Sequence, residues 1–405
     1  MINEEEYLMK LRKIAEEETK ELSLDPEVMG VALSGSIASK NVWESSDIDL
    51  LVILDTDKLL NYGRYDKECD GIRLDRLYIS KRWMDDFIER YPESFIQWGL
   101  LFLDDLYKME PLYDPSGYLG QIKEFTYKNR YSSVITNNRL RVGINAVKEG
   151  VEKARLLLSQ NDYQGAWREA REITYAIADL WLEYDKQTSS YKTQDPRFAE
   201  LSNKLGKPYM YDMYRHILGV DKLNQQELQH LSDDIVRNWN LHSLFFRKFH
   251  DELQRFIIAT GIKLEDMVGD NRPVLIFQGD MSEVLKRVTP DLLAWTMFWV
   301  AWADEFSKQT EIACNKGYYG LLSLTWITMP DERVYPGNII KFFGEYETEG
   351  LDSMRKLSQE IDYLIPHIND HRGFNNPSKE YVEEIVDVTS EILKDTEASL
   401  LHAKP

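Results

Sequence analysis

The stretch VALSGSIASKNVWESSDIDLLVIL, residues 31–54, decides the fold of the N-terminal part of this chain. It contains the end of one short apolar run, residues 28–33, and the whole of another, residues 48–54. The length and the β-branched side chains of both runs predict buried strands. Between them, the Ser-Gly-Ser sequence at residues 34–36 predicts a turn before a short helix. Apolar and charged side chains alternate over residues 71–80, which predicts a third strand.

Two carboxylates open the second of these strands. Asp47 and Asp49 are two residues apart, so a strand directs both side chains to the same face. Asp75, on the third strand, joins them if the two strands are neighbours. Carboxylates gathered on one face repel one another unless a cation lies among them, and hard oxygen ligands of this kind suit Mg²⁺.

The turn before these carboxylates has the composition of a phosphate site. Gly35 lets the backbone approach a phosphate closely, and the free amides of a following helix would bind it. Either feature alone is more typical of a structural turn. Together with Asp75 they predict a phosphate site beside a divalent metal site, as phosphoryl or nucleotidyl transfer requires.

These residues resemble a known family. Gly-Ser at residues 35–36, followed after ten residues by Asp-Ile-Asp at 47–49, resembles the Gly-Ser…Asp-x-Asp signature of the DNA polymerase β-like nucleotidyltransferase superfamily. Asp75 falls where that family places its third carboxylate. The segment LYDPSG, residues 112–117, resembles the one that closes the domain in the antibiotic-modifying members, the aminoglycoside and lincosamide nucleotidyltransferases.

The resemblance implies an α+β fold, in which a small mixed-sheet nucleotidyltransferase head is followed by mainly α-helical C-terminal domains. It implies two Mg²⁺ ions, held by Asp47 and Asp49, that bridge the triphosphate of ATP or another nucleotide while a substrate hydroxyl displaces pyrophosphate. Asp75 would be the third metal ligand or the general base. The residues implied to contact the nucleotide are Gly35, Ser36, Ser46 and Lys204.

The composition indicates which partners the chain attracts. It has 49 basic and 69 acidic residues and a formal net charge of −20, which repels a nucleic-acid backbone and attracts cationic small molecules. The charged N-terminus does not resemble a signal peptide, and the longest apolar run, residues 292–303, is too short to span a bilayer. Cys69 and Cys314 lack CxxC spacing, which fits a reducing compartment. We expect a cytoplasmic protein with no nucleic-acid or membrane partner, and a homodimer stays open.

A change in sequence pattern divides the chain. We predict a nucleotidyltransferase domain over residues 1–117 and a helical domain on the acceptor side over residues 118–268, because apolar positions recur at helical spacing after residue 118. Residues 269–405 form a second predicted helical region, to which the sequence assigns no role.

The expected function is adenylylation of a hydroxyl group on a cationic small molecule, with an aminoglycoside-like antibiotic as the leading acceptor class. Other acceptors remain open, namely a protein or a different metabolite, and so does an antitoxin-like or regulatory binding module. A minor alternative is a HEPN-like ribonuclease, because Arg237 and His242 fit the Arg-x4-His pattern. Acidic residues on the helix near 164–186 are candidates to bind acceptor amino groups, although a solvated helix face is their more common role. These are Glu169, Glu172, Asp179 and Glu183.

Overall fold

A computed structural model describes most of the chain. The described residues are 4–40, 42, 46–57, 67–96, 101–187, 194–221, 223–260, 303–304, 306–312, 314–315, 350–371 and 377–402. Two compact units contain them, the first made of residues 1–150, 175–190 and 390–405 and the second of residues 151–174 and 191–389. The three-part division at residues 117 and 268 stays a prediction, since much of the third part lies outside the described residues.

The first unit contains a five-stranded mixed sheet. Its strands are β1 (Val28–Leu33), β2 (Ile48–Leu54), β3 (Lys67–Cys69), β4 (Ile72–Ser80) and β5 (Glu110–Tyr113). The order across the sheet is β3-β4-β2-β1-β5, with β2 and β4 parallel and every other pair antiparallel. The predicted α+β class is therefore confirmed, with the three predicted strands at the centre of the sheet and two short unpredicted strands at its edges.

Helices make up the rest of the described chain. In the order of the sequence they are α1 (Glu4–Leu22), α2 (Gly35–Ala38), α3 (Lys81–Glu89), α4 (Glu93–Ile96), α5 (Leu101–Lys108), α6 (Tyr118–Asn129), α7 (Ser133–Ser159), α8 (Tyr163–Tyr184), α9 (Gln194–Lys204), α10 (Pro208–Ile217), α11 (Gln225–Thr260), α12 (Leu351–His371) and α13 (Lys379–His402). None of the described helices is long and apolar enough to cross a lipid bilayer.

Both faces of the sheet are covered, which explains why β2 is apolar at every position except Asp49. Leu50 and Val52 face a cluster that includes Leu11 of α1. Leu51 and Ile53 face the opposite cluster, formed with side chains of α3, α5 and α6. Because successive residues of a strand point to opposite faces, a strand buried on both sides has no polar alternation. The start of β2, where the run of apolar side chains is broken by Asp49, is thereby held rigidly.

The second unit has its own core. Leu231, Ile235 and Trp239 of α11 are buried in a cluster with Ile368 of α12 and with Phe306. Trp239 stacks on Phe306, with ring centroids 5.1 Å apart. This cluster shows that α11 and α12 are packed through apolar side chains.

Candidate active site

The parallel pairing of β2 and β4 brings two of the predicted carboxylates side by side. Asp49 is the register partner of Asp75, and neighbouring strands lie about 4.8 Å apart. Asp47 precedes β2 by one residue and is 9% exposed. The condition set by the sequence, that the second and third predicted strands be neighbours, is met. The catalytic and metal-binding roles of the three residues stay predictions.

A cation lies among these carboxylates that sequence reasoning missed. Arg73 is two residues before Asp75 on β4, so the two side chains share a face. Its guanidinium lies 3.4 Å from Oδ2 of Asp75 and 3.7 Å from Oδ2 of Asp47. Arg73 therefore partly compensates the repulsion between the two acids.

The turn after β1 is fastened to the start of β2. The backbone N–H of Ser34 donates to the carbonyl oxygen of Asp49 at 2.9 Å. Gly35 has a φ of +60°, and a Cβ atom built there would lie 1.9 Å from Oδ2 of Asp49. Only glycine leaves room for that carboxylate in its present position and adopts this left-handed backbone without strain.

Ser36 has a side chain suited to a phosphate. Its Oγ atom is buried and has no hydrogen-bond partner among the described residues. A hydroxyl group both donates and accepts, and an unsatisfied buried one is costly unless a ligand or water pairs with it. This is the observation in the turn that points to a bound oxygen-rich ligand.

Sequence reasoning also missed an acid that lies near the turn, Asp105. Asp105 of α5 accepts a hydrogen bond from the backbone N–H of Gly35. Burial, together with the neighbouring carboxylate of Asp104, raises the pKa of Asp105 to about 6. An aspartate on a helix carries no periodic signal, so nothing in the sequence connected Asp105 with the turn.

The remaining predicted nucleotide contacts lie in different parts of the fold. Ser46 is 5% exposed, and its carbonyl oxygen accepts a hydrogen bond of 3.2 Å from the hydroxyl of Tyr7. Lys204 is in the last turn of α9, in the second unit. Its predicted contact with phosphate stays a prediction.

The donor set suits a hard divalent cation in chemical type. Asp47, Asp49 and Asp75 offer carboxylate oxygens towards the end of the sheet where β2 begins (the sheet edge), and Ser36 adds an unsatisfied hydroxyl. Within the described ranges, no group of three or more His, Cys, Asp or Glu side chains is already arranged around a metal position. Arg73 supplies positive charge there instead.

Glu183, one of the residues predicted to bind the acceptor, takes part in a buried ion-pair network. Glu183 is 4% exposed and receives two hydrogen bonds of 2.6 Å from the guanidinium of Arg130. Arg139 lies 3.2 Å from the same carboxylate, and Arg130 also binds Asp104 at 2.8 Å. This buried network joins α5, α7 and α8 through the arginine that follows α6, so Glu183 is a structural residue here.

The two residues of the ribonuclease pattern lie in different environments on α11, one exposed and one buried. Arg237 has a side chain that is 58% exposed, and it lies 3.9 Å from a carboxylate oxygen of Glu360. His242 is buried, donates to the carbonyl of Asn238 at 2.9 Å, and has a pKa lowered to about 4 by burial, despite that hydrogen bond. A buried neutral imidazole cannot serve an RNA phosphate at the surface, so the geometry argues against the ribonuclease alternative.

Comparison with known proteins gives the same assignment for the head. Residues 8–101 match the family model of the nucleotidyltransferase domain. A comparison with curated proteins found no match. Among solved structures, the chain is similar to a nucleotidyltransferase-like protein from Exiguobacterium sibiricum 255-15, with 11% identity, a TM-score of 0.32, and coverage of 81% of this chain and 88% of that one. A likeness this distant supports no conclusion about fold or function.

Proposed function

We propose that this chain, whose residues 8–101 match the family model of the nucleotidyltransferase domain, transfers a nucleoside monophosphate, from ATP, to a hydroxyl group of a small molecule. The observation that carries the proposal is the register pairing of Asp49 with Asp75 beside the Gly-Ser turn. Acids gathered at one sheet edge next to a close backbone approach suit a triphosphate with its cation.

Each residue of the edge has a proposed part in binding. Asp47, Asp49 and Asp75 would hold Mg²⁺, which neutralises the triphosphate and orients it when bound. Ser36 would donate its hydroxyl proton to a phosphate oxygen, which satisfies a buried group that lacks a partner. Gly35 keeps the Asp49 carboxylate in position, since any side chain there would displace it.

The chemistry is an in-line displacement. The oxygen of the acceptor hydroxyl forms a bond to the α-phosphorus, the bond from that phosphorus to the bridging oxygen breaks, and pyrophosphate leaves. We assign Asp75 as the base that takes the hydroxyl proton, through the carboxylate oxygen that would not bind the cation. Its side chain is 34% exposed, compared with 11% for Asp47, so an acceptor can reach it.

The proposed acceptor is a cationic, hydroxyl-rich small molecule of the aminoglycoside type. The net charge of −20 attracts such a molecule and repels nucleic acid. An uncharged metabolite as acceptor would lack this electrostatic support.

Pyrophosphate release tests the proposal. We expect release in the presence of Mg²⁺, one of the four nucleoside triphosphates and one member of a panel of aminoglycosides, lincosamides and neutral sugars. The Asp47→Asn variant should lose at least two orders of magnitude in rate. Nucleotide binding without any turnover on the panel would remove the small-molecule acceptor and favour a protein acceptor or a binding module.

A further inference from the structure

Arg73 is the residue of the edge whose function the proposed reaction leaves open. Its guanidinium lies between two of the three carboxylates, with one nitrogen 3.7 Å from Asp47 and another 3.4 Å from Asp75. A tight charge-assisted hydrogen bond between nitrogen and carboxylate oxygen measures about 2.8 Å. Both of these distances are longer, so neither of these two contacts is a tight charge-assisted hydrogen bond.

Another arginine of the same unit shows what a fixed ion pair looks like. Arg130 is 1% exposed and holds both oxygens of Glu183 at 2.6 Å. Arg73 has a side chain that is 21% exposed and divides its charge between two acids. Arg130 is therefore held at short distances in a buried network, whereas Arg73 is partly exposed and contacts these two acids at longer distances.

The occupants that the proposed reaction brings to this edge would change that balance. Divalent cations on Asp47 and Asp75 would repel the guanidinium and take over its two acids. The same event delivers a triphosphate, whose oxygens match the planar fork of an arginine better than separated carboxylates do.

We propose that Arg73 is a two-position residue: a counter-ion to Asp47 and Asp75 when the edge is empty, and a ligand of the triphosphate and departing pyrophosphate when it is loaded. This inference rests on the proposed function. In the empty protein Arg73 competes with metal, and in the loaded protein it holds the nucleotide, so metal without nucleotide binds weakly.

The two positions predict opposite effects of one substitution. In Arg73→Gln the carboxylates lose their counter-ion, so Mn²⁺ alone should bind roughly fivefold to tenfold more tightly. The same variant loses a charged ligand of the triphosphate, so Mg²⁺-ATP should bind roughly tenfold to a hundredfold more weakly. Arg73→Lys keeps the charge but not the fork, so it should leave Mn²⁺ affinity near that of the wild type and weaken only nucleotide binding.

The experiment measures Mn²⁺ binding by electron paramagnetic resonance and Mg²⁺-ATP binding by calorimetry, on the full chain. Sites that persist in Asp49→Asn are subtracted, since the acidic surface also attracts Mn²⁺. The control is Arg82→Gln, which removes the same charge from an exposed side chain of α3 paired with Asp57 and should change neither affinity.

The outcomes separate this inference from the function on which it rests. Tighter Mn²⁺ binding together with weaker nucleotide binding in Arg73→Gln supports it. Weaker binding of both, or no change in Mn²⁺ affinity, in a chain that still releases pyrophosphate in an Asp47-dependent manner overturns the inference alone. Absence of nucleotide binding and of pyrophosphate release in the wild type overturns the proposed function and the inference together.

Discussion

At the scale of single residues, the sequence points to the acids but not to what holds them. Asp47 and Asp49 stand out because carboxylates at the start of an apolar strand have no role in packing, and Asp75 stands out because it falls where the resembled family places its third carboxylate. Arg73 has no such signal, since a charged residue alternating with apolar ones reads as the solvent face of a strand. Its importance depends on the distance to Asp47, which only the pairing of β2 with β4 sets.

Gly35 gives the sharpest prediction at this scale. We expect Gly35→Ala to lower the rate of nucleotidyl transfer at least tenfold, because the new Cβ atom would displace the carboxylate of Asp49. Gly71→Ala is the matched control, because Gly71 has a similar φ of +75° but no atom within 4 Å of the added Cβ. Both variants should lose about 1–2 kcal/mol of stability from backbone strain. Equal rates for the two variants would show that the position of Asp49 is irrelevant to the reaction.

Asp105 predicts a pH dependence of stability. Its pKa of about 6 in the folded state lies above the unfolded value of about 3.9, so its contribution to stability is present below pH 4 and lost as pH rises through 6. Asn keeps the acceptor for the Gly35 N–H but cannot ionise. Asp105→Asn should therefore be about 2–3 kcal/mol more stable than the wild type at pH 7.5 and equal to it at pH 4, by urea unfolding.

The control for Asp105 is Asp86→Asn, which removes a carboxylate from an exposed position of α3. A stability difference between Asp105→Asn and the wild type that is the same at both pH values would show that burial does not raise this pKa.

At the scale of elements, the strength of the apolar pattern decided what could be predicted. The strands β1, β2 and β4 have six, seven and nine residues and lie at the centre of the sheet, where burial imposes a pattern. The edge strands have only the sequences KEC and EPLY, which carry no alternation. The pairing of β5 depends on backbone hydrogen bonds to β1, which is distant in sequence, and a local pattern does not encode that. The strand β3 instead forms a hairpin with β4 through Asp70 and Gly71, and this Asp-Gly pair is the sequence signal that could have predicted it.

The buried network around Glu183 belongs to this scale because it fastens helices together. Glu183→Gln would leave Arg130 and Arg139 buried without the negative charge that they share. We expect a loss of about 3–5 kcal/mol in the free energy of unfolding. Glu360→Gln is the control, because Glu360 is 54% exposed and lies 3.9 Å from Arg237, and it should cost less than about 1 kcal/mol. Similar costs for the two variants would contradict the structural role of the network.

At the scale of the whole molecule, the net charge is the property that bears on the acceptor. A surface with a net charge of −20 attracts a polycation over a distance set by the salt concentration. Going from about 10 mM to about 150 mM ionic strength shortens the screening length from about 30 Å to about 8 Å. The KM for a polycationic acceptor should therefore rise severalfold, with kcat unchanged, while the KM for a neutral acceptor stays constant. A KM for the polycationic acceptor that does not change with ionic strength would mean that charge does not select the acceptor.

Transfer of a nucleotidyl group by the acids of the sheet edge can be measured directly. ATP labelled at the α-phosphorus is incubated with the purified chain, Mg²⁺ and the acceptor identified by pyrophosphate release, and the label is followed into the acceptor. We predict transfer of the α-label and none of a γ-label by the wild type, with loss of transfer in a folded Asp49→Asn variant. Transfer of the γ-label, or undiminished transfer by Asp49→Asn, would contradict the central claim.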